Sequence, residues 1–403
     1  SSAASDVYKR QPQDGYDVQT TLDVNIQDIT HHALLEALEN FEADHGTAVV
    51  METETGAIRA VANLGRTEEG KYYEKLNYAI GESHEPGSTF KLMALVAAFE
   101  DQVVDTTSVF DTQNGELTFY SKYKVRDSRK GGYGKIPITE IFERSSNTGM
   151  VQAIYDQYKK KPEQFVNRLM NMGLNEPLGL PIVGEGKPLI PHPDKNGWSG
   201  ISLPWMAYGY GVLLTPMQIL TFYNAIANDG VMVKPRFIER TQDAWSKMKR
   251  NSEVEIISAS VCSKETIGKA KSLLKGVVEK PWGTAHNIYD PNFAIAGKTG
   301  TCQLDYNTEE IQYVASFVGY FPSNRPKYSC IVLVHRPNKE KGYFGSTVAA
   351  PVFQKIAHKL YSSIPVETRL SRERYLEITQ PKIETSKGII DAKVDITSTE
   401  NKS

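Results

Sequence analysis

Three apolar runs near the end of the chain constrain its fold more than any other feature: Phe293–Cys302, Tyr313–Phe321 and Tyr328–His335. Short, turn-rich connections separate them, which is the pattern of an antiparallel meander. A second antiparallel pair lies upstream. Thr47–Met51 and Ala57–Leu64 are strand-like and joined by Glu-Thr-Glu-Thr-Gly, with Gly56 at the tight position. A sheet of this kind needs helices to cover it, and the sequence supplies them. Ile26, Ile29, Leu34, Leu35 and Leu38 recur at helical spacing within 25–40. Phe90–Phe99 reads as a largely buried helix introduced by Pro86-Gly87-Ser88, and Ala349–Ser362 as a closing helix. Thr215-Pro216-Met217-Gln218 carries a cap, a proline at the first helical position and a glutamine three after the cap. That helix is expected to run to Asn228 and stop at Gly230, where a left-handed cap costs little. Residues 15–24 read as a short strand, and 101–140 as long loops with short strands.

Composition excludes several classes. The 403 residues carry 46 Lys and Arg against 48 Asp and Glu, a formal charge of −2, so no global field draws nucleic acid or an anionic membrane. No run approaches the ~18 consecutive apolar residues of a membrane helix. Cys262, Cys302 and Cys330 are too few for a disulfide framework, although one bridge stays open. The length allows about two to three domains. After Ile364 the chain turns charged and rich in Thr and Ser, and 366–403 reads as a linker or tail.

Three short motifs carry chemistry. Ser-x-x-Lys occurs at Ser88, Ser121, Ser246 and Ser272, so the pattern alone discriminates nothing. Ser88 is distinguished by its setting, after Pro-Gly and at the head of an apolar helix, where the helix dipole favours negative charge. Residues three apart share a helix face, which places the Lys91 amine beside the Ser88 hydroxyl. An amine takes a proton only when neutral, and an exposed lysine has a pKa of about 10.4. Burial or a neighbouring cation favours the neutral form. Lys298-Thr299-Gly300, which occurs once, offers that cation on a strand. Lys298 and Gly300 share a face by the period of two. The missing side chain of Gly300 is expected to let a substrate approach the strand and pair along its edge at Thr301. The hydroxyls of Thr299 and Thr301, with Lys298, suit a substrate carboxylate. Ser145-Ser146-Asn147 also occurs once. Its first hydroxyl is placed to relay a proton between the two lysines, and the Asn147 amide to hold a peptide carbonyl.

Competing readings fail on spacing. Gly297-Lys298-Thr299 lacks the glycine that a phosphate-binding loop needs at position 292, which is Asn292. Gly209-Tyr-Gly211 lacks the third glycine of a dinucleotide fingerprint. The eight histidines are scattered, and no metal-ligand spacing occurs, so no cofactor or metal is expected. Cys302 shares strand parity with Lys298. It reads as a small buried residue, with a cleft-lining thiol as the alternative.

The ordered set Ser88-x-x-Lys91, Ser145-x-Asn147, Lys298-Thr-Gly300 resembles the penicillin-binding-protein and serine β-lactamase superfamily. Ser146 departs from the Asp of class A β-lactamases and matches the transpeptidases. Glu85-Pro-Gly-Ser-Thr-Phe-Lys91, Gly209-Tyr-Gly-Val-Leu-Leu-Thr-Pro-Met-Gln218, Ala225-Ile-Ala-Asn-Asp-Gly230, Ala315-Ser-Phe-Val-Gly-Tyr-Phe-Pro322 and Thr21-Leu-Asp-Val-Asn-Ile-Gln27 look like class B transpeptidases, most like the division-type enzymes. The resemblance covers about residues 17–364. It implies an α+β fold, an antiparallel sheet flanked by helices with an all-helical subdomain, over a transpeptidase domain at 17–365 between an N-terminal remnant at 1–16 and the tail. It implies a Ser88 acyl-enzyme formed from D-Ala-D-Ala of a peptidoglycan stem peptide, resolved by an amine of a neighbouring stem. Lys91 would be the acylation base, Ser145 and Lys298 would pass the proton on, and the N–H groups of Ser88 and Thr301 would form the oxyanion hole. It further implies acylation by β-lactam antibiotics, a glycan polymerase and division-complex proteins as partners, and a place on the periplasmic face of the inner membrane. The polar Ser1–Asp14 start has no apolar signal core, so the anchor is expected outside this sequence.

Overall fold

The computed structural model describes residues 15–306 and 308–360, with two short paired strands at 382–385 and 388–391. Most of the expected N-terminal remnant and of the expected tail therefore lies outside the described residues.

The expected meander and hairpin join into one antiparallel sheet of six strands. In chain order these are β1 (His45–Glu52), β2 (Ile58–Arg66), β3 (Tyr72–Glu74), β4 (Ala296–Leu304), β5 (Gln312–Phe321) and β6 (Tyr328–His335). Their spatial order is β4-β5-β6-β1-β2-β3, so the C-terminal meander is sealed to the N-terminal hairpin by the β6–β1 pair, from Tyr328 opposite Glu52 to His335 opposite His45. Gly56 turns the hairpin at φ +71°, and a Cβ there would fall 2.5 Å from the Lys234 carbonyl oxygen. A side chain is excluded at that position on both counts.

Helices cover both faces, which is why the middle strands read as continuous apolar runs rather than as alternating ones. On one face lie α1 (Val24–Asn40) and, at the chain's end, a helix over Ala350–Leu360, packed on each other. The Asp23 carboxylate caps α1 by accepting from the N–H groups of Asn25 and Ile26. On the other face a helix over Pro216–Ala227 packs on β5 and β6. Its start has the expected reciprocal bonds between Thr215 and Gln218, and its C-cap at Asn228 is followed by Gly230 at φ +95°.

Five other helices form a bundle beside the β4 edge. Its axis is α2 (Lys91–Glu100), buried on every side from Lys91 to Phe99. Around α2 stand Asn147–Tyr158, Pro162–Asn171 and Lys264–Glu279, while Ile138–Glu143 packs on the last of these. The strand expected at 15–24 is Asp17–Thr20, paired with Ile238–Gln242 in a small separate sheet. Cys262, Cys302 and Cys330 are all free and buried, so the disulfide left open by sequence does not form.

Candidate active site

The site lies where the helical bundle meets the β4 edge. Gly87–Phe90 is a tight 3-10 turn that runs straight into α2, so Ser88 sits one turn ahead of a buried helix. Three contacts clamp this turn. The Gly87 N–H donates to the Gly209 carbonyl at 3.1 Å. The Thr89 hydroxyl donates to the Pro86 carbonyl at 2.9 Å, and the Tyr223 hydroxyl reaches the Thr89 carbonyl at 2.7 Å.

Ser145 occupies the turn between the Ile138–Glu143 helix and the Asn147–Tyr158 helix, with φ at +56°. A non-glycine residue is held in that region only where its surroundings enforce it. Asp127 does so here. Its carboxylate accepts from the Ser146 hydroxyl, from the Thr148 N–H at 2.9 Å and from the Thr148 hydroxyl at 2.8 Å. Ser146 in turn caps the following helix through the Gly149 N–H. Asp127 was not anticipated; it comes from the polar 101–140 stretch, where no spacing marks it.

The three motifs converge on one oxygen. Ser145 Oγ accepts from Lys91 Nζ at 3.0 Å and from Lys298 Nζ at 2.9 Å. Lys91 Nζ also donates to the Ser145 carbonyl at 2.9 Å and to Asn147 Oδ1 at 2.7 Å, and Lys298 Nζ to the Thr299 carbonyl at 2.9 Å. Both lysines are fully buried. Burial lowers the Lys91 amine to about 7, against a smaller upward pull from Asp127. Burial, reinforced by the Lys91 charge, holds Lys298 well below its ordinary range. A neutral Lys91 has one lone pair. That lone pair is what lets the Lys91 amine act as a base.

Two expectations need correction. Ser88 is not among the hydrogen-bond partners of Lys91 Nζ. The buried amine turns to Ser145 and Asn147, which offer it three oxygens. Gly300 does not open the strand to substrate. A Cβ there would meet Ser316 Oγ at 2.3 Å and Thr89 Cγ2 at 3.1 Å, so the bare α-carbon makes room for the Ser316 hydroxyl of β5 and for the Ser88 turn. The open side of β4 is that of Thr299, Thr301 and Gln303, which line a cleft of about 530 Å³ together with Ser88, Ser145 and Asn147. That volume suits a small-molecule or peptide ligand. Thr299 shares a hydroxyl hydrogen bond of 2.7 Å with Thr284, and the Thr301 hydroxyl accepts from the Gly345 N–H at 2.9 Å. Cys302 points away from the cleft into a small apolar cluster with Val314 and Leu333. Burial pushes its thiol up to about 12, which leaves the buried reading.

The scattered histidines are partly gathered. Asp44, His45 and His335 bring ligand atoms within 4.8 Å of one another. The two imidazoles stack at 4.2 Å with planes 21° apart. Lone pairs in nearly parallel rings do not converge on one ion at the ~2.0–2.1 Å of a zinc–nitrogen bond, so as arranged these residues do not fit a metal.

Comparison with known proteins agrees with this geometry. The chain is 27% identical over 368 residues to stage V sporulation protein D of Bacillus subtilis, covering 89% of this chain and 55% of that protein. It is 27% identical over 348 residues to a peptidoglycan D,D-transpeptidase FtsI of Buchnera aphidicola, covering 83% of this chain and 56% of that one. The chain thus spans about half the length of these curated relatives. Among solved structures, penicillin-binding protein 3 of Mycobacterium tuberculosis, complexed with aztreonam, superposes with a TM-score of 0.74 at 27% identity, over 89% of this chain and 82% of that one. The transpeptidase domain of penicillin-binding protein 3 from Burkholderia pseudomallei gives 0.70 at 26% identity, over 87% and 98%. The family described as "Penicillin binding protein transpeptidase domain" matches residues 46–358. That match runs from the first strand of the sheet to the last helix packed on it, and the chain therefore belongs to the penicillin-binding protein transpeptidase family.

Proposed function

We propose that this chain is a serine D,D-transpeptidase of the class B type, cross-linking peptidoglycan stem peptides in septal wall synthesis. The observation that carries the reading is the meeting of two buried lysine amines on Ser145 Oγ, in a cleft that Ser88 and the β4 edge also line. In this reading the Ser88 hydroxyl attacks the carbonyl of the penultimate D-alanine. Its proton goes to neutral Lys91, which is why an amine near pH 7 matters. The carbonyl oxygen is held by the N–H groups of Ser88 and Thr301. Ser145 and Lys298 return a proton to the departing D-alanine amine, whose carboxylate lies against Thr299 and Thr301. Asn147 Nδ2 already donates to the Arg126 carbonyl at 2.8 Å, and its second N–H serves the donor peptide. An amine from a second stem then attacks the ester and frees Ser88.

The reading also assigns β-lactams as acylating mimics, and a glycan polymerase and division proteins as partners on the outer face of the cytoplasmic membrane. Among the described residues no helix is long and apolar enough to cross a membrane. Intact-protein mass after brief exposure to benzylpenicillin tests the reading. A stable adduct of one drug mass, absent in Ser88→Ala, is the expected result. A transient adduct with hydrolysed drug accumulating would instead mark a β-lactamase.

A further inference from the structure

The cleft has a second strand in its wall. Glu116–Phe119 and Tyr123–Arg126 form a two-stranded sheet apart from the main one, in register from Glu116 opposite Arg126 to Phe119 opposite Tyr123. One residue beyond that register, the Asp127 N–H donates to the Gly115 carbonyl at 2.9 Å. Bonded and non-bonded pairs alternate in an antiparallel ladder, so the main-chain groups of Arg126 and Lys124 face away from the partner strand. The Arg126 carbonyl is taken by Asn147 Nδ2 at 2.8 Å. Among the described residues nothing takes the N–H or the carbonyl of Lys124, a residue that lines the cleft.

Charge gathers on the same strand. Lys122, Lys124, Arg126, Arg129 and Lys130 fall between positions 122 and 130, in a chain whose formal charge is −2. The acids beside them are committed. Asp127 is turned in to Ser146 and Thr148, and Glu116 is shared by Lys124 at 3.0 Å and Arg126 at 2.7 Å. Lys122, Arg129 and Lys130 are exposed and form no ion pair among the described residues. Arg129 lies over the Tyr133 ring at 5.5 Å, and Arg144, which lines the cleft, lies over the same ring at 5.3 Å. The cationic face is thus continuous with the cleft wall.

Asn147 ties this edge to the chemistry. Its Nδ2 holds the Arg126 carbonyl, and its Oδ1 accepts from Lys91 Nζ at 2.7 Å. A peptide paired at Lys124 lies two strand residues, about 7 Å, from a carbonyl that is one side chain away from the base.

Resting on the transpeptidase reading above, we propose that the Tyr123–Arg126 edge is the docking strand of the second, amine-bearing peptide. An extended acceptor adds along Lys124 by its main chain, and its carboxylates meet Lys122, Arg129 and Lys130. The main-chain edge selects an extended peptide, and the cations select one with carboxylates beside its amine. In the step that this docking serves, the acceptor nitrogen bonds to the acyl carbon and the bond from that carbon to Ser88 Oγ breaks. The proton lost by the nitrogen ends on Ser88 Oγ.

The test follows one acyl-enzyme, formed when a D-alanyl thioester acylates Ser88 and loses its thiol, as it divides between water and an added amine. Three acceptor peptides of one length are compared. The first has two free carboxylates, the second has both as carboxamides, and the third keeps the carboxylates but has N-methylated backbone amides. The ratio of aminolysis to hydrolysis product is read by mass, and it does not depend on how fast Ser88 reacts. Wild type is expected to favour the first peptide over the second, by less as NaCl rises from about 0.05 M to about 0.5 M. Lys122→Gln, Arg129→Gln and Lys130→Gln together should cut that preference about three- to tenfold, roughly twofold for each exposed charge. Lys247→Gln, Lys249→Gln and Arg250→Gln make the same charge change on an exposed hairpin of another sheet and should leave it in place. The N-methylated peptide should fall about two- to tenfold below its parent, the worth of one hydrogen bond. Equal ratios for the first two peptides in wild type, equal losses in the two triple variants, or an N-methylated acceptor as good as its parent overturns the proposal alone. An acyl-enzyme that only hydrolyses, or that forms with neither the thioester nor benzylpenicillin, overturns the transpeptidase reading itself, and the proposal with it.

Discussion

Lys91 and Lys298 point their amines at the same oxygen, Ser145 Oγ, from 3.0 and 2.9 Å, with neither amine exposed to water. Two cations this close, both desolvated, cannot both stay charged at modest cost. Burial lowers the Lys91 amine to about 7, and burial together with the Lys91 charge holds Lys298 well below its ordinary range.

A pH profile follows from that value. The base must be neutral to act, so the rate of Ser88 acylation should climb as pH rises through about 7 and level off above it. The Asp127 carboxylate raises the Lys91 amine, so Asp127→Asn should move the rising limb to lower pH. Stopped-flow acylation with a chromogenic β-lactam between pH 5 and 9 reads both. A limb that stays in place in D127N would show that Asp127 acts only as the anchor of the Ser145 turn.

A second prediction concerns Gly209. At φ +90° its missing Cβ would stand 1.9 Å from the Gly87 carbonyl oxygen, backbone against backbone. Gly209→Ala must therefore push the Ser88 turn away from the Gly209 loop. Misplacing a nucleophile by about 1 Å costs on the order of a hundredfold. We expect acylation to slow by that order, with the far-UV spectrum unchanged. An unaltered rate would mean that the turn gives way without moving Ser88.

Much of this could be read from the chain and some could not, for reasons that differ residue by residue. The meander and hairpin were legible because turns and apolar runs are local signals. So was the Pro216–Ala227 helix, whose cap is written in four consecutive residues. Parity showed that Lys298 and Gly300 share a face but not which face, and the Ser88 turn fills the one they share. Asp127 and Tyr210 come from loops, and only the folded chain brings them to Ser146 and Gln303. The Lys264–Glu279 helix went unseen because Gly268 and Gly276 interrupt its pattern. Gly276 has a tertiary cause: a Cβ there would lie 2.4 Å from Glu143 Oε2.

Thiol chemistry gives a third prediction. Burial pushes the thiols of Cys262 and Cys302 up to about 12, and Cys330 is raised by burial as well. The thiolate is the reactive form. The native protein should therefore titrate no fast thiol with a disulfide reagent, and β-lactam pre-treatment should change nothing. Rapid labelling of Cys302 that the drug blocks would put its thiol in the cleft after all.

Glu143 supports the last prediction. The residue is 4% exposed, and its buried Oε2 has no hydrogen-bond partner among the described residues. Burial, with Glu140 adding to it, raises this acid to about 7 against the opposing pull of Lys280 and Trp282. An acid raised in the folded state binds more protons than the unfolded chain between about 4.5 and about 7. Its contribution to stability is therefore complete below about 4.5 and is lost as pH climbs through about 7. At 1.36 kcal/mol per unit the loss is bounded at roughly 3 kcal/mol, and relaxation around the charge will reduce it. Glu143→Gln keeps the shape and abolishes the titration. The variant should match wild type in urea midpoint near pH 5 and exceed it near pH 9, with the gap opening around neutrality. A gap that is the same at both pH values would mean that Glu143 is already ionised in the fold, stabilised by Lys280 rather than penalised by burial.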